Sequence, residues 1–498
     1  MTSLLYRAGN FRRFSAFLPT ASSSLTLRLL ATNTSTSDDD PRPPGLNDQH
    51  IAPWLLASLR DPTLLRLAGL VGPNWLSSRD TAHATSTFDL TSPSTGHVIA
   101  RLPHFSTPTT EQAVAAAHAA QPTWASLPPP KREALLTAWH DAIKSHREDI
   151  AIIMSAESGK RLAESRLEID AGCASLLFYA QEIKRVTGDV LTAPSADRRF
   201  LVLRQPVGVV AAVTPWNFPM SMITRKVGPA LAAGCTVVLK PAEETPLTAT
   251  ALAELAQRVG VPPGVLNVVF GDKKAIGYVL ATSPRVRKLG FTGSTAVGKM
   301  LAEKAVGSSM KKVSMELGGN APVIVFGDAD VGLAARAAAA SALRNAGQTC
   351  ICANRVLVHE DVYDAFAAEV GKIVGTLTCG DGLEPSTTMG PLIRKQAVDR
   401  VEALVQDAVA RGATVLVGGQ RPAKRRSRDG DDEALGRTPR QTKGAPPVGG
   451  NFYEPTVLGG VTPSMRVYQE EQFGPIIPLI KFRDEAEAVR MANDTPYG

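Results

Sequence analysis

The sequence predicts an α/β protein built around a doubly wound parallel sheet, and three observations support this class. From residue 208 onward, short apolar runs alternate with segments of helical spacing. Most of the runs are continuous apolar stretches, which is typical of parallel strands that are buried on both faces. Glycine, proline and polar residues separate them from the helical segments. Repeats of this kind favour a Rossmann-like sheet, whose ligand lies at the carboxyl ends of the strands.

The predicted elements follow in chain order. Strands are expected at 208–214, 236–239, 265–270 and 286–291. Helices are expected at 221–233, 247–259, 273–281 and 295–305. A second α/β series begins at Ala321, with an alanine-rich helix over 331–343 and a strand over 356–358. Upstream, 50–185 is mainly helical (as at 111–121 and 131–145), strand-like pieces lie near 86–101, and 186–204 has the pattern of a hairpin arm.

Composition excludes several classes of protein. The chain has 498 residues, enough for two or three cores. Its formal net charge of +7 is carried by 1–35, with four arginines and no acid, and by 421–443, with eight basic and four acidic residues. Because the remainder is nearly neutral, no nucleic-acid partner is expected. No apolar run is long enough to cross a bilayer, so no membrane partner is expected. Five scattered cysteines predict neither a disulfide framework nor a metal site.

Two peripheral segments lack the pattern of a folded core. Residues 1–35 are rich in arginine and serine, which predicts a mitochondrial presequence and a matrix location; a tail without a targeting role is the alternative. Residues 36–45 are interpreted as a linker. Residues 420–450 are predicted to be a solvated, disordered insertion. Its basic cluster also fits a nuclear-localisation signal, but a loop is the favoured interpretation.

Cys350 is the candidate nucleophile. It lies between the predicted helix 331–343 and the predicted strand 356–358, in a turn where a thiol can meet a substrate. A lone cysteine is more often buried and inert, so the remaining motifs have to support this role. The pair Cys350-x-Cys352 is weak as a metal site. A Cys/His hydrolase stays open as an alternative, although no local signature supports it.

The segment 293–299 resembles an incomplete phosphate-binding loop. Gly293, Gly298 and Lys299 match its pattern, but Met300 replaces the hydroxyl residue that binds magnesium, which argues against an NTPase. A strand, a glycine turn and a helix start remain, and these can hold a phosphate through backbone N–H groups. No G-x-G-x-x-G follows any predicted strand, so a dinucleotide would be bound in a variant way.

Three further loops carry candidate polar groups. Lys240 and Glu243 follow a predicted strand and can bind ribose hydroxyls; the carboxylate would repel a 2′-phosphate, which favours NAD over NADP. Asn217, held between two prolines, offers an N–H donor for an oxyanion. Glu316 precedes paired glycines that allow a tight chain crossing. A surface ion pair and ordinary polar loops are the alternatives for these residues.

Together these motifs resemble the NAD(P)-dependent aldehyde dehydrogenases from about residue 60 to the end. The segments that carry the resemblance are 215–219, 240–243, 291–298, 315–319, 347–350 and 470–475. The resemblance implies that Cys350 is the nucleophile, that Glu316 is the general base, and that Asn217 and the Cys350 backbone N–H form the oxyanion hole. It also implies NAD binding, with NADP possible, by Thr214, Pro215, Trp216, Lys240, Glu243, Gly293, Ser294, Gly298, Leu317, Glu471 and Phe473.

The same resemblance implies a domain organisation. The family's fold has a Rossmann-like NAD-binding domain, here expected at 46–185 and 205–316. A catalytic α/β domain is expected at 317–498, and 186–204 is expected to be the oligomerisation hairpin of a homo-oligomer, a homotetramer in this branch. Family members continue for several tens of residues beyond the position of Gly498. The C-terminal part of the catalytic domain is therefore expected to be missing, and an inactive truncated subunit is one alternative.

Two segments, 222–234 and 344–352, look like the branch that oxidises succinate semialdehyde in 4-aminobutyrate breakdown. In that branch two arginines, here Arg225 and Arg344, hold the distal carboxylate of the substrate through charge-assisted hydrogen bonds. The resemblance further implies that Cys352 can form a reversible disulfide with Cys350. The alternatives are glutarate semialdehyde or a neutral aldehyde as the substrate, and internal salt bridges as the role of the two arginines.

Overall fold

The computed structural model describes residues 51–80, 84–422 and 449–497. The predicted presequence 1–35, the linker 36–45 and most of the insertion 420–450 therefore lie outside the described residues. Among the described residues, no helix has both the length and the apolar character needed to span a bilayer.

The strands of the described residues are β1 (Gly69–Val71), β2 (Asn74–Leu76), β3 (Ala84–Thr91), β4 (Val98–Phe105), β5 (Asp189–Leu191), β6 (Phe200–Val202), β7 (Val209–Val213), β8 (Thr236–Lys240), β9 (Leu266–Val268), β10 (Val286–Thr292), β11 (Lys312–Glu316), β12 (Pro322–Val325), β13 (Arg355–His359), β14 (Thr414–Val417), β15 (Thr456–Gly459) and β16 (Ile476–Phe482). The α-helices are α1 (Pro53–Ser58), α2 (Thr107–Ser126), α3 (Pro129–Ser145), α4 (Arg147–Ser158), α5 (Leu162–Glu182), α6 (Ser221–Ala232), α7 (Pro246–Arg258), α8 (Lys273–Thr282), α9 (Thr295–Ser309), α10 (Val331–Ala342), α11 (Tyr363–Gly375), α12 (Lys395–Ala410), α13 (Arg466–Gln469) and α14 (Glu485–Asn493).

A seven-stranded sheet holds the larger core. Its order is β11-β10-β7-β8-β9-β1-β2, with β7 to β11 parallel and β1 antiparallel to both of its neighbours. β8 is buried along its whole length, and α2 and α6 pack against it. This burial explains why the apolar runs in the sequence are continuous instead of alternating.

The carboxyl ends of four parallel strands meet at one edge of this sheet. The register pairs Val213 at the end of β7 with Lys240 on β8 and with Phe291 on β10. It also pairs Thr292 at the end of β10 with Glu316 at the end of β11. The loops that carry the predicted cofactor residues therefore start side by side, which is where a ligand binds in open α/β sheets.

A five-stranded sheet forms the second core, in the order β12-β13-β16-β15-β14. Its strands are parallel except for β14, which runs antiparallel to β15. Apolar faces of α10, α11 and α12 pack around β13 and β16. The segment with Cys350 enters β13 directly, so this sheet anchors the candidate nucleophile on one side.

Two antiparallel hairpins complete the described elements. β3 pairs with β4, and β5 pairs with β6 within the segment where the sequence predicts a hairpin arm. Every residue of β5 and β6 is exposed. An exposed apolar hairpin is unusual in a monomer and indicates a contact surface.

The predicted α/β class is confirmed, but some predicted boundaries were wrong. The strand expected at 265–270 is only Leu266–Val268, because Val265 closes a turn onto Pro262 and the chain leaves the sheet near Gly271 at a φ of 125°. β1 and β2 were not foreseen, since strands of three residues show no usable periodicity.

Candidate active site

The turn that carries Cys350 is held in an unusual backbone conformation. After α10 the chain makes a short turn over Arg344–Gly347, in which Asn345 and Ala346 have positive φ values of 52° and 55°. Such left-handed conformations cost about 1–3 kcal/mol each outside glycine and occur mostly where surrounding contacts impose them. At Gly347, an added Cβ would lie 2.0 Å from the carbonyl oxygen of Gly474, so only glycine fits there.

Gln348 supplies contacts that hold this turn. Its side-chain nitrogen donates to the carbonyl oxygens of Asn345 (3.0 Å) and Pro391 (3.3 Å), and its side-chain oxygen accepts from the backbone N–H of Ile393 (2.9 Å). The residue is buried, so each of these bonds would leave an unsatisfied group if it were lost. These bonds fix the backbone that leads to Cys350, two residues after Gln348.

Asn217, in the loop after β7, contacts the segment that holds Cys350, residues 344–352, which we call the nucleophile turn. Its side-chain nitrogen donates to the carbonyl oxygen of Gln348 at 3.0 Å, and the residue is buried. An amide nitrogen has two hydrogens, and only this one bond is formed among the described residues. The second N–H is left for another acceptor, and the contact with Gln348 places Asn217 against the chain that leads to Cys350, as an oxyanion hole would require of a fixed donor.

Two carboxylates and one arginine act electrostatically on Cys350. Burial raises the pKa of the thiol, and the negative charges of Glu471 and Glu316 raise it further, while the charge of Arg225 opposes them. Glu471 accepts a hydrogen bond from the backbone N–H of Gly319 at 3.1 Å. A Cβ on Gly319 would lie 2.8 Å from the carbonyl oxygen of Cys350, so the segment after Glu316 runs directly against the nucleophile turn.

The edge of the larger sheet has buried polar atoms without hydrogen-bond partners among the described residues. They include the hydroxyls of Thr214 and Thr292 and one carboxylate oxygen of Glu243. That oxygen lies 3.7 Å from the amine nitrogen of Lys240. Burial lowers the pKa of Lys240 and raises that of Glu243. Polar groups desolvated in this way fit a ligand that offers hydroxyls, such as a ribose.

The start of α9 fits a phosphate group. Ser294 is the N-cap residue and is exposed, and no side chain among the described residues caps the helix. Its first N–H groups are therefore open to an anion. Gly293 precedes it at the end of β10, and Gly298 packs against Leu317. The predicted phosphate-binding turn is thus built from a strand end and a helix start.

An aromatic pair links two further loops of the predicted cofactor site. Trp216, next to Pro215, and Phe473 have ring centroids 5.6 Å apart in an edge-to-face arrangement. Phe473 has a positive φ of 51°. This contact places the loop after β7 beside the loop that carries Glu471. The structure therefore brings the predicted cofactor residues of four separate segments to one edge.

The two candidate substrate arginines are exposed and make no ion pair among the described residues. The guanidinium of Arg344 lies 5.1 Å from the ring centroid of Phe218. Burial raises the pKa of both Cys350 and Cys352, and the charges of Arg225 and Arg344, respectively, oppose that rise. The described residues thus offer no ion-pair partner that would favour the alternative of internal salt bridges.

Cys352 is a buried free thiol, as is usual for a core cysteine. Burial raises its pKa to about 11, so it is protonated at neutral pH. Cys350 is also a free thiol and is only partly buried. The described residues contain no group of three or more His, Cys, Asp or Glu that could hold a metal ion.

Sequence reasoning missed several residues of the site. Lys226 is close enough to Glu316 for the carboxylate to raise its pKa, although burial lowers it overall. Lys160 and Phe218 contact each other at 4.1 Å behind Asn217. The adjacency of Lys226 to Arg225 could have drawn attention to it. Lys160 had no such signal, because the contact depends on chain segments far apart in sequence.

A thiol on which two carboxylates act, near the ligand edge of a dinucleotide-type sheet, is an arrangement that suits an oxidoreductase. The chain belongs to the aldehyde dehydrogenase family, whose sequence profile matches residues 80–498. It is 48% identical over 440 residues to a mitochondrial succinate-semialdehyde dehydrogenase of Arabidopsis thaliana, covering 88% of this chain and 78% of that protein.

Two further comparisons agree with the family. A glutarate-semialdehyde dehydrogenase of Pseudomonas putida is 45% identical over 440 residues, covering 88% of this chain and 85% of the relative. Among solved structures, an E. coli NADP-dependent enzyme matches with a TM-score of 0.80 and 44% identity, covering 88% of this chain and 85% of that chain. The predicted family and fold are therefore confirmed.

Proposed function

We propose that the protein oxidises succinate semialdehyde to succinate with a nicotinamide cofactor. The observation that carries the substrate assignment is the pair of exposed arginines, Arg225 and Arg344, whose charges act on the thiols of the nucleophile turn. Relatives at 45–48% identity that act on semialdehydes with a distal carboxylate support it. Glutarate semialdehyde, one methylene longer, is the second candidate, because one of these relatives is named for it.

The proposed chemistry assigns one role to each residue of the site. The Cys350 sulfur attacks the aldehyde carbon, and the second N–H of Asn217 with the Cys350 backbone N–H stabilises the resulting oxyanion. When bound, a nicotinamide cofactor would accept the hydride that this adduct loses, and Cys350 would then carry a thioester. Glu316 then takes a proton from water, whose oxygen attacks the thioester and releases the carboxylate and the thiol. Because burial and two carboxylates raise the pKa of Cys350, its proton must be removed for attack. The Glu316 carboxylate would accept this proton and, being exposed, would release it to solvent before it activates water.

We infer that the cofactor lies along the carboxyl edge of the larger sheet. Lys240 and Glu243 would hold the ribose, and the start of α9 with Gly293 and Ser294 would hold a phosphate. Glu471 and Phe473 would contact the nicotinamide end. The Glu243 carboxylate favours NAD, because a 2′-phosphate would add a like charge beside it. In this assignment, 46–185 and 205–316 bind the cofactor and 317–498 provide the nucleophile.

The substrate proposal is tested by comparing kcat/KM for three aldehydes: succinate semialdehyde, glutarate semialdehyde and butanal, the neutral aldehyde of four carbons. We expect succinate semialdehyde to be preferred over butanal by about a hundredfold, because a charge-assisted contact contributes roughly 1.5–3 kcal/mol. Arg344→Ala should remove most of this preference while leaving kcat/KM for butanal within about threefold. The same assay with NADP in place of NAD measures the cofactor preference.

Arg336→Ala is the matched control, since this arginine lies on α10 outside the site and should keep the preference. Equal use of butanal and succinate semialdehyde by the wild type would contradict the proposal. A preference for glutarate semialdehyde would support the second candidate instead.

Assembly and location are further parts of the proposal. The exposed hairpin of β5 and β6 would bury its apolar residues in a homo-oligomer, with the tetramer as the expected form. Residues 1–35 would direct the chain to the mitochondrial matrix, and the Arabidopsis thaliana relative is a mitochondrial enzyme. A fluorescent protein that carries residues 1–35 tests this, and a cytosolic signal would contradict it.

A further inference from the structure

A buried ion pair between Lys160 and Glu168 lies behind the loop that carries Asn217. The exposed fraction is 1% for each side chain. A buried pair of this kind adds little net stability, because desolvation of both charges offsets most of their attraction. The role of the Lys160–Glu168 pair is therefore inferred from the groups to which the two side chains hydrogen-bond.

Lys160 holds the backbone of Asn217. Its amine nitrogen donates to Glu168 and, at 2.7 Å, to the carbonyl oxygen of Asn217. It also lies 4.1 Å from the ring centroid of Phe218, the next residue. The same carbonyl oxygen accepts a second bond at 3.1 Å from the side-chain nitrogen of Asn345, in the nucleophile turn. The peptide group after Asn217 is thus fixed from two sides.

Glu168 holds the other end of the same loop. One carboxylate oxygen accepts from the backbone N–H groups of Met220 (2.9 Å) and Ser221 (3.1 Å), at the start of α6. The N-cap residue of α6, Met220, makes no capping hydrogen bond with its own side chain. Glu168, on α5, therefore caps α6 in its place. The carboxylate is also favoured there by the positive end of the helix dipole.

The acidic face of α5 extends this arrangement to the nucleophile. Glu164, one turn before Glu168, accepts a hydrogen bond at 3.0 Å from the backbone N–H of Asn345. Residues four apart lie on the same face of a helix. One helix therefore contacts both the loop of Asn217 and the turn that leads to Cys350, and it sets the distance between them.

We propose that Lys160 and Glu168 are positioning residues that aim the free amide N–H of Asn217 at the carbonyl oxygen of the substrate. The inference rests on the proposed function, because it requires Asn217 to stabilise the oxyanion. A fixed donor is effective because it needs no reorganisation during the reaction, and a displacement of about 1 Å can cost about a hundredfold in rate. The pair contacts Asn217 only from behind and does not touch the substrate.

A double-mutant cycle tests the proposal. The variant K160M/E168Q removes both charges together, so neither is left unpaired, and it is combined with Asn217→Ala. Asn217→Ala alone should lower kcat by about a hundredfold or more. K160M/E168Q alone should lower kcat by about ten- to a hundredfold, with the KM for succinate semialdehyde and NAD binding within about threefold. In the Asn217→Ala background, the same pair change should lower kcat by less than about threefold.

Two controls separate positioning from general loss of structure. R66M/E254Q removes another largely buried ion pair, 2.8 Å long and outside the site, and should keep kcat even if it lowers the melting temperature. If K160M/E168Q does not fold, Lys160→Met alone enters the same cycle, since Glu168 keeps its bonds from the backbone N–H groups of Met220 and Ser221. Its loss of kcat should again disappear in the Asn217→Ala background.

The outcomes distinguish the two proposals. A full loss of kcat on changing the pair in the Asn217→Ala background overturns the positioning role and leaves the oxyanion role of Asn217 intact. No loss of kcat in K160M/E168Q, or in Lys160→Met, also overturns it. Near wild-type kcat in Asn217→Ala overturns the oxyanion role itself, and the positioning role with it.

Discussion

Cys350 has surroundings that keep its thiol protonated until a reaction begins. Burial and the charges of Glu471 and Glu316 all raise its pKa, and Arg225 only partly offsets them. A thiol in this state resists unspecific oxidation, because the thiolate is the reactive form. The reactivity of the residue therefore depends on its neighbours, none of which is adjacent to it in sequence.

The second thiol of the turn leads to a prediction about peroxide. Peroxide would oxidise the Cys350 thiolate to a sulfenic acid with release of water, and the Cys352 thiol would displace a second water to form a disulfide. Inactivation of the wild type should therefore be reversed by dithiothreitol, and it should be faster at higher pH because the pKa of Cys350 is raised. In Cys352→Ala, recovery should fall several-fold, because the sulfenic acid proceeds to irreversible products.

Cys379→Ala is the control for this experiment, since burial raises the pKa of that thiol to about 12 and makes it unreactive. It should recover as the wild type does. Equal recovery of activity in Cys352→Ala and the wild type would show that no disulfide protects Cys350.

Among the elements, α4 holds α7 through one buried carboxyl group. Glu157 accepts hydrogen bonds from the backbone N–H groups of Leu247 (2.7 Å) and Thr248 (3.0 Å), at the start of α7. This helix is not capped by its own N-cap residue, Thr245. The group is fully buried, and burial raises its pKa to about 8. A tertiary contact thus replaces a local cap, as it does at α6.

Glu157 makes the stability of the fold depend on pH. Its pKa is about 8 in the folded chain against an ordinary value of 4.5, so the folded state holds a proton that the unfolded state loses between these pH values. The stabilisation that the raised pKa of Glu157 gives the folded state is fully present below about pH 4.5, and it is lost as the pH rises through 8. Glu157→Gln cannot ionise, so the Tm difference between wild type and variant should shrink as the pH rises from 5 to 9.

Thermal melts across this pH range check the prediction. Glu111→Gln, an exposed change on α2, controls for the loss of one negative charge and should follow the wild type. A Tm difference for Glu157→Gln that stays constant with pH would mean that this carboxyl group does not titrate in the range.

At the scale of the whole molecule, the hairpin of β5 and β6 is an apolar surface that the described part of the fold leaves uncovered. Val190 is 80% exposed, and Leu201, its cross-strand partner, is 65% exposed. Burying each such side chain contributes about 1.5–3 kcal/mol. An isolated two-stranded hairpin is also marginally stable, so a second chain would both cover and support it.

Leu201→Asp should therefore weaken assembly. We expect the mass measured by light scattering to fall toward that of a single chain at micromolar concentration, because a carboxylate cannot be buried unpaired in an apolar contact. Val409→Asp, a comparably exposed change on α12, should keep the mass of the wild type. A wild-type mass for Leu201→Asp would exclude the hairpin as the main contact.

The sequence by itself determined the α/β class, most strands and helices of the larger sheet, the family and the candidate residues of the site. These depend on local patterns: continuous apolar runs, glycine turns and short motifs whose residue types carry their own chemistry. Because the carboxyl ends of parallel strands meet at one edge of a sheet, the sequence also predicted the edge at which the ligand site lies.

Only the tertiary structure decided how those residues are held. Lys160 contacts Asn217 across 57 positions of the chain, and Asn217 contacts Gln348 across 131. The burial that shifts the pKa of Glu157 and Cys350 also appears only when distant segments pack. Hydrogen bonding and desolvation act over a few ångströms in space, and spacing along a sequence does not record which distant groups come that close.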